Sequence, residues 1–481
     1  MFYALFSKKN NYMFYMSIIN CSYFTYQIYF YILITFIFFP LNIIYGKVIQ
    51  EEAKKLGKTG TLLTPVGAQR EGNQEGSIPE WTGGVTIIPA GYKKGDFHPC
   101  PFKKDEKLFT INFENYKQYI TKLTPGIIAL IKNYRKTFYM NIYKTHRTAS
   151  FPDWVYDALI ENALNAEIIE NGNGIKSAKT TSPFPIPKSG IEAIWNHILG
   201  FRGTYISRYG AQSAIMKDGS FTIIKMVEKL YTIYAQPKIS INDLEKQNII
   251  TFFMQYITSP PRMAGNALLV FEHLNQVMYP RKSWVYNSGQ RRVRRTPNIA
   301  YDYPGTASDG LRTTDDWNGF NGAPDRYTWK LLGKKEMYVP YNCYNLHSNK
   351  VKYSQILKPN HINQKLVRYE LHRVWVVEAN LIKTFRHVYK KRVFYLDEDS
   401  WLCLAAEMYD KRDQLYRVLL SHVINYYDLP TILTTLDIYH DLYSRRYVAC
   451  QLDNEEKMVD FKTKLTKKDF TINALRRAGI R

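Results

Sequence analysis

The sequence predicts an α+β protein, a mainly helical region followed by a large antiparallel sheet. Residues 109–200 carry helix-start signals followed by apolar residues at helical spacing. From Phe201 onward, runs rich in Val, Ile, Tyr and Phe alternate with short turn-forming stretches. The 481 residues include 39 tyrosines, whose apolar body and polar tip suit extended amphipathic strands. At 45% hydrophobic and 15% aromatic residues the chain can bury a sizeable core and is not of disordered composition.

The first residues address the compartment. Lys8 and Lys9 are the only charges before Lys47, and the apolar run Ile28–Pro40 is broken only by Thr35. Basic residues, an apolar core and then Ile44-Tyr45-Gly46 read as a secretory signal over 1–46, cut after Gly46. An uncleaved anchor is the alternative. Cys21 precedes the apolar core and is not placed like a lipid-attachment cysteine. A soluble periplasmic protein is expected. Cys100, Cys343, Cys403 and Cys450 show no CxxC spacing, so no zinc site is expected, while disulfides and buried thiols both stay open. The net charge of +23, from 65 basic and 42 acidic residues, suits anionic partners in general. Lys, Asn, Ile and Tyr are abundant together, however, as genome base composition alone produces, and no nucleic-acid partner is inferred.

Residues 47–108 open with a short helix, Lys47–Leu56, and continue as a Gly/Pro-rich arm expected to lie extended over the body with Trp81 as its anchor. In the helical region 109–200, helices are expected at Phe113–Leu123, at Gly126–Tyr134 behind the Thr124-Pro125 cap, at Asp153–Glu170 and at Gly190–Leu199 behind Ser189. His197, on the last of these, reads as a structural histidine. The β region 201–481 is expected to hold strands Gly203–Tyr209, Ser220–Val227, Leu268–Val277, Trp284–Tyr286, Arg291–Arg295, Tyr369–Leu381, Val388–Leu396, Trp401–Tyr409 and Leu415–Tyr427. A helical interlude, Ile241–Ile257, interrupts them, and a short helix begins at Thr471. The Gly- and Asp-rich loop 301–330 departs from the calcium-loop spacing, and Arg312 and Arg326 are expected to neutralise its carboxylates. Asp397, Glu398 and Asp399 read as a solvated turn. Trp401–Tyr409 and Leu415–Tyr427 are apolar on both faces, so that part of the sheet must be covered twice. Helices from 109–200 supply one cover, and either more protein or an enclosed apolar ligand supplies the other.

The stretch Trp284–Tyr303 reads as a hairpin turning at Asn287-Ser288-Gly289-Gln290. Whether the loop has two residues or four, Tyr286 falls opposite Arg291 and Trp284 opposite Val293. Alternation then puts Trp284, Tyr286, Arg291, Val293 and Arg295 on one face and Val285, Arg292 and Arg294 on the other. An aromatic floor fringed by guanidinium groups suits a ligand that is apolar along its length and anionic at one end. An ordinary exposed hairpin is the alternative.

The string W-V-Y-N-S-G-Q-R-R-V-R-R at 284–295 resembles a segment of the LolA/LolB-like lipoprotein carriers. Nearly the whole chain from about Leu62 resembles a large bacterial family of outer-membrane lipoprotein-sorting-like proteins. The resemblance rests on T-P-V-G-A at 64–68, I-P-E-W-T-G-G at 78–84, F-P-I-P-K-S-G-I-E-A-I-W-N-H at 184–197 and Y-D-Y-P-G-T-A-S-D-G-L-R-T-T-D-D at 301–316. It rests further on M-Y-V-P-Y-N at 337–342, Y-E-L-H-R-V-W-V-V-E-A at 369–379 and A-L-R-R-A-G-I-R at 474–481. It implies a half-barrel, a half-open curved antiparallel sheet with helices plugging its concave face. It also implies a carrier for a lipid or lipoprotein acyl chain in the periplasm, associated with the outer membrane and working with an RND-type exporter and an outer-membrane protein. Trp284, Tyr286, Arg291, Arg294 and Arg295 fall in the matching string and are the expected ligand-binding residues. No HExxH, GxSxG, P-loop or dinucleotide signature occurs, and no enzyme activity, metal or cofactor is expected. The competing readings are an envelope hydrolase acting on a surface glycan or lipid, and a non-catalytic scaffold of an envelope complex.

Overall fold

A computed structural model describes residues 47–480 except 86, 297, 298 and 300, so the expected signal segment 1–46 lies outside the described residues. Strands β1 (Phe109–Ile111) and β2 (Met140–Ile142) form a ribbon, and β3 (Glu167–Ile169) and β4 (Gly174–Lys176) a second, separate one. Then come β5 (Tyr205–Ile215), β6 (Ile224–Thr232), β7 (Ile249–Ser259), β8 (Ala267–His273), β9 (Lys282–Asn287) and β10 (Arg292–Arg295). The last third supplies β11 (Tyr327–Pro340), β12 (Tyr369–Leu381), β13 (Lys391–Asp397), β14 (Cys403–Tyr409), β15 (Leu415–Tyr426), β16 (Thr431–Asp441) and β17 (Arg446–Leu452).

These make one open antiparallel sheet in the order β11-β12-β13-β14-β15-β16-β17-β5-β6-β7-β8-β9-β10, and the β1/β2 ribbon joins it through one parallel bridge, Tyr369 to Ile142. The α+β class and the antiparallel sheet are as expected. The topology carries a consequence. Strands β10 and β11 follow one another in sequence but form opposite ends of this run. Residues 296–326 must therefore cross the face of the sheet, and they contact it along the way. Gln212 on β5 donates to the carbonyls of Thr306 and Ala307, the Tyr439 hydroxyl on β16 bonds the Asp316 carbonyl, and Gly319 sits on Cys403 and Leu419.

That crossing answers the double-cover requirement. On one face of β14 and β15 the helix Pro125–Asn133 packs with Gly126 against Val418, its N–H bonded to Glu407 at 2.7 Å. On the other lies the 296–326 segment. Gly319, at φ 90°, has no room for a Cβ, which would stand 2.7 Å from the Cys403 sulfur. Protein fills both sides here, and the room for a ligand lies further along the sheet.

Sequence signals at helix starts hold closely. Thr124 accepts from the Ile127 N–H at 3.1 Å and Ser189 caps Gly190–Leu199. Other expectations are corrected. The opening helix is only Gln50–Ala53, Phe113–Leu123 shrinks to a 3-10 stretch at Tyr116–Lys122, and the third helix stops at Asn165. The interlude Ile241–Ile257 splits: the helix ends at Gln247, Asn248 turns left-handed at φ 50°, and the β-branched and aromatic run after it becomes β7. Asp397, Glu398 and Asp399 are buried, because Arg147 grips Asp399 through two bonds of 2.7 and 2.9 Å while Lys334 and Arg373 meet Glu398. Arg147 also donates to the Gln69 and Arg70 carbonyls, stitching the arm to the body beside the buried Trp81, whose indole N–H bonds Ala149. The four cysteines Cys100, Cys343, Cys403 and Cys450 are free thiols. No helix among the described residues is long and apolar enough to cross a membrane.

Burial holds five imidazoles neutral, pulling His98, His197 and His440 down to about 3 and His273 and His422 to about 4. With folded values below the ordinary ~6.5, the unfolded chain binds more protons in that interval. Their contribution is complete above about pH 6.5 and is lost as pH falls. Asp437, pushed up to about 6 by burial, acts in the opposite sense, as does Asp397, raised by burial and the neighbouring Asp399. Burial raises the carboxyls of Glu228, Glu407 and Asp325 in that same opposite sense and lowers His361 with the other imidazoles. The imidazoles start from an ordinary value of ~6.5, inside the range, and outweigh the carboxyls, so the urea midpoint is expected to fall between pH 7 and pH 4.5, with a shallower fall in His422→Gln. A midpoint constant over that range would contradict this account.

Candidate functional site

Beyond β15 the two faces of the sheet part company. On β5–β10, Tyr205, Tyr231, Phe252, Phe271, Trp284 and Tyr286 share one face, which the C-terminal helix Ile472–Ile480 closes with Leu475 and Ala474, helped by Phe470. The opposite face carries a cavity of about 580 Å³, within the range of roughly 300–1,000 Å³ typical of ligand pockets. Its floor is the alternate set of side chains: Ile206, Leu230, Phe253, Leu268, Val270 and Val285. The crossing segment forms the roof with Ile299, Trp317 and Phe320, and the last turn of helix Gly190–Leu199, with Ile198 and Leu199, closes one end.

One cross-strand row shows how the site is graded. Register pairs Arg208 with Glu228, Glu228 with Gln255, Gln255 with Leu268, Leu268 with Val285 and Val285 with Arg294. At ~4.8 Å between strands the row spans about 24 Å. It is polar under the middle of the sheet, apolar through β8 and β9, and cationic at the β10 edge. Exposed lining residues mark the mouth: Asn287, Gln290 and Arg294 on one lip, Tyr303 and Pro304 on the other. A second tie closes the side near the β8–β9 turn, where Arg281 pairs with Glu272 at 2.7 Å and donates to the Asn321 carbonyl at 2.9 Å.

The roof is held by a buried ion cluster. Arg392 on β13 meets Asp315 at 3.0 Å and Asp316 at 2.7 Å. His387 bonds Asp315, and the Tyr389 hydroxyl donates to Asp316 at 2.8 Å. The Arg392 guanidinium holds the Asp315 carboxyl below its ordinary value against the cost of burial. Arg326 pairs weakly with Asp302, at 3.9 Å. Arg392 rather than Arg312 therefore neutralises the loop carboxylates, which corrects the expectation for Arg312.

The structure separates the five residues expected to bind ligand. The hairpin loop is Ser288–Arg291, so Tyr286 pairs with Val293 and Trp284 with Arg295, two residues away from the expected register. Arg291 is a turn residue at φ 52°. A two-residue shift preserves the faces, and the expected aromatic floor lies on the side away from the cavity. Trp284 packs edge-on against Phe271, and Tyr286 is buried under the C-terminal helix. Gly479 approaches the Tyr286 ring so closely that a Cβ there would stand 2.2 Å from it. Arg294 lines the mouth, whereas Arg291 and Arg295 are exposed and do not line the cavity. The lining residues Phe253 and Gln255 lie on the strand that reads as a helix in the sequence, which hid them. Leu268 and Val270 lay in a recognised strand but gave no sign of which face was open.

A second polar cluster is buried away from the cavity. His372, Asp397 and Asp399 bring potential metal-ligand atoms within 4.8 Å of one another. Asp399 is bound to Arg147, His372 to Glu370 at 3.0 Å, and one Asp397 oxygen to the Tyr341 and Ser400 hydroxyls, while Asp397 Oδ1 has no hydrogen-bond partner.

Residues 110–476 match the model of the family described as "Protein of unknown function (DUF1329)". The chain belongs to this family. An uncharacterised protein of Pseudomonas aeruginosa is 46% identical over 430 residues, covering 89% of this chain and 94% of that one. Among solved structures, a DUF1329 family protein of Desulfovibrio piger aligns at 15% identity and TM-score 0.39, covering 57% of this chain and 92% of its own. A LolA superfamily protein of Nitrosomonas europaea aligns at 13% identity and TM-score 0.36, covering 60% and 99%.

Two outcomes follow from this placement. Tyr286→Ala is expected to lower stability by about 3–5 kcal/mol by undercutting the C-terminal helix. Its affinity for a cavity ligand should stay within twofold of wild type where the protein is folded, as urea unfolding and probe titration would show. Arg392→Met leaves Asp315 and Asp316 buried without their cation and is expected to cost about 3–5 kcal/mol. Limited proteolysis should then cut first within 296–326; unchanged cleavage would show that the roof is held elsewhere.

Proposed function

We propose that this protein is a carrier or binding protein for a hydrophobe, a lipid or the acyl chain of a lipoprotein, working in envelope trafficking in the periplasm. The observation that supports it is the cavity itself: about 580 Å³, with an apolar stretch from Ile206 through Phe253, Leu268 and Val285 on its floor and Ile299, Trp317 and Phe320 above, and open at a mouth lined by Arg294. An apolar surface of this kind repels water and gains by covering an alkyl chain, at roughly 0.8 kcal/mol per buried CH₂. The graded row from Leu268 through Val285 to Arg294 offers an alkyl chain a path between the interior and the edge of the sheet. An exit at the β10 edge suits a ligand that must be handed on.

The geometry favours this over hydrolysis. Near the cavity, Glu272 is occupied by Arg281, and Glu228, on the same face of the sheet but outside the lining, is bonded to Gln255 at 2.8 Å. Glu272 is held in an ion pair and Glu228 lies outside the lining, so the two do not flank the cavity as a hydrolytic carboxylate pair would. An RND-type exporter and an outer-membrane protein are the proposed partners in transfer, with no nucleic acid, metal or cofactor involved.

Leu268→Trp is the direct test, since the indole would fill the apolar middle of the cavity without disturbing the aromatic face. The wild-type protein is expected to bind a neutral fluorescent alkyl probe and to release lipid into an organic extract read by mass spectrometry. The variant should lose at least about tenfold in probe affinity, about 1.4 kcal/mol, with little change in Tm. Equal binding by the two proteins would remove the carrier reading.

A further inference from the structure

The end of the cavity away from Arg294, beside Pro304 and Gly305, holds a cation that has no ion pair among the described residues. Arg312 is 4% exposed and lines the cavity, yet it makes no ion pair among the described residues. Its guanidinium lies over the Trp317 ring, 5.3 Å from the centroid, and donates to the Thr313 carbonyl at 3.3 Å, while its Nε has no hydrogen-bond partner. Gly305 makes space for it, because a Cβ there would stand 2.5 Å from Nη1. A buried guanidinium with an unused donor is costly unless something anionic meets it.

The neighbours add positive charge. Arg202, also in the lining, caps the helix Gly190–Leu199 through the carbonyls of His197, Ile198 and Gly200 and pairs with no carboxylate among the described residues. Arg208, one strand further in, bonds Gln451 and stands 3.9 Å from Glu228. Three guanidinium groups thus surround two carboxylates, Glu228 and Asp437, and burial raises both carboxyls toward their neutral form. Asp437 leaves one oxygen unpartnered, and Asp316, the other acid Arg312 senses, is already bonded by Arg392. The balance at this end is positive.

We propose that this end is an anion subsite, and that the cavity takes a long-chain amphiphile head-first. The terminal oxyanion, a carboxylate or a phosphate, seats on Arg312 with Arg202 beside it, and the alkyl chain runs out over Leu268 and Val285 toward the mouth at Arg294. This rests on the carrier reading and adds the ligand's chemical class and its direction. Charge-assisted bonds to a guanidinium in a dry site discriminate strongly between an oxyanion and a hydroxyl.

The test measures displacement of a neutral fluorescent alkyl probe by myristate, myristyl alcohol and monomyristyl phosphate. Wild type should bind one of the two anions at least tenfold more tightly than the alcohol, and which anion leads tells carboxylate from phosphate. Arg312→Gln should bring that ratio close to one while leaving the alcohol within about twofold, and Arg294→Gln should leave the ratio intact. The wild-type ratio and Arg202→Gln, expected to lower it severalfold, keep the test decisive if Arg312→Gln does not fold. A wild-type ratio near one overturns the subsite, as does a ratio lost in Arg294→Gln and kept in Arg312→Gln; either can occur while the alcohol still binds and the carrier reading stands. Failure of all three ligands and of the probe to bind overturns both.

Discussion

The arrangement depends on the grip of Arg392 on Asp315 and Asp316. Strand order leaves β10 and β11 at opposite ends of a thirteen-strand run, so the chain between them has to travel over the sheet. Ile299, Leu311, Trp317 and Phe320 give the segment apolar contacts, but such contacts alone fix the path of a Gly- and Asp-rich stretch poorly. One guanidinium bridging two carboxylates, reinforced by His387 and Tyr389, fixes its middle to β13, and Arg417 adds a bond to the Gly310 carbonyl at 2.6 Å. Buried ion pairs contribute little net stability against apolar substitutes, but they specify position well. Here position is what counts, since a roof displaced by a few ångströms would collapse onto the floor or leave it open.

The two halves of the sheet illustrate opposite uses of the same period-two pattern. Along β14 and β15 protein covers both faces, with Gly126 and Gly319 allowing close approach from either side. Along β5–β10 the aromatic side chains other than Phe253 go to the face sealed by the C-terminal helix. The smaller aliphatic side chains, with Phe253, face the cavity. The empty space is therefore prepared by side-chain size as much as by backbone path.

Much of the architecture was legible in the sequence, and the limits have physical causes. Helix starts at Thr124 and Ser189 were readable because a capping side chain acts within three residues. Strands with long apolar runs, such as β12, β14 and β15, stood out for the same local reason. The two faces of the hairpin at 284–295 could be read from alternation alone, but the register depended on a left-handed turn at Arg291, which its residue type does not announce. Which face lay open was settled by residues 472–480, nearly two hundred positions away. Arg312 and Arg392 pose the same problem: composition shows arginines near acids, and only the fold decides which arginine is paired and which is left to face the cavity.

The terminal helix has a bearing on biogenesis. Residues 472–480 supply the lid for the aromatic side of β7–β10, so that side stays sticky until a segment nearly two hundred positions downstream has been made. A growing chain would present Phe252, Phe271 and Trp284 to water throughout that interval. Such a nascent species would benefit from chaperone shielding.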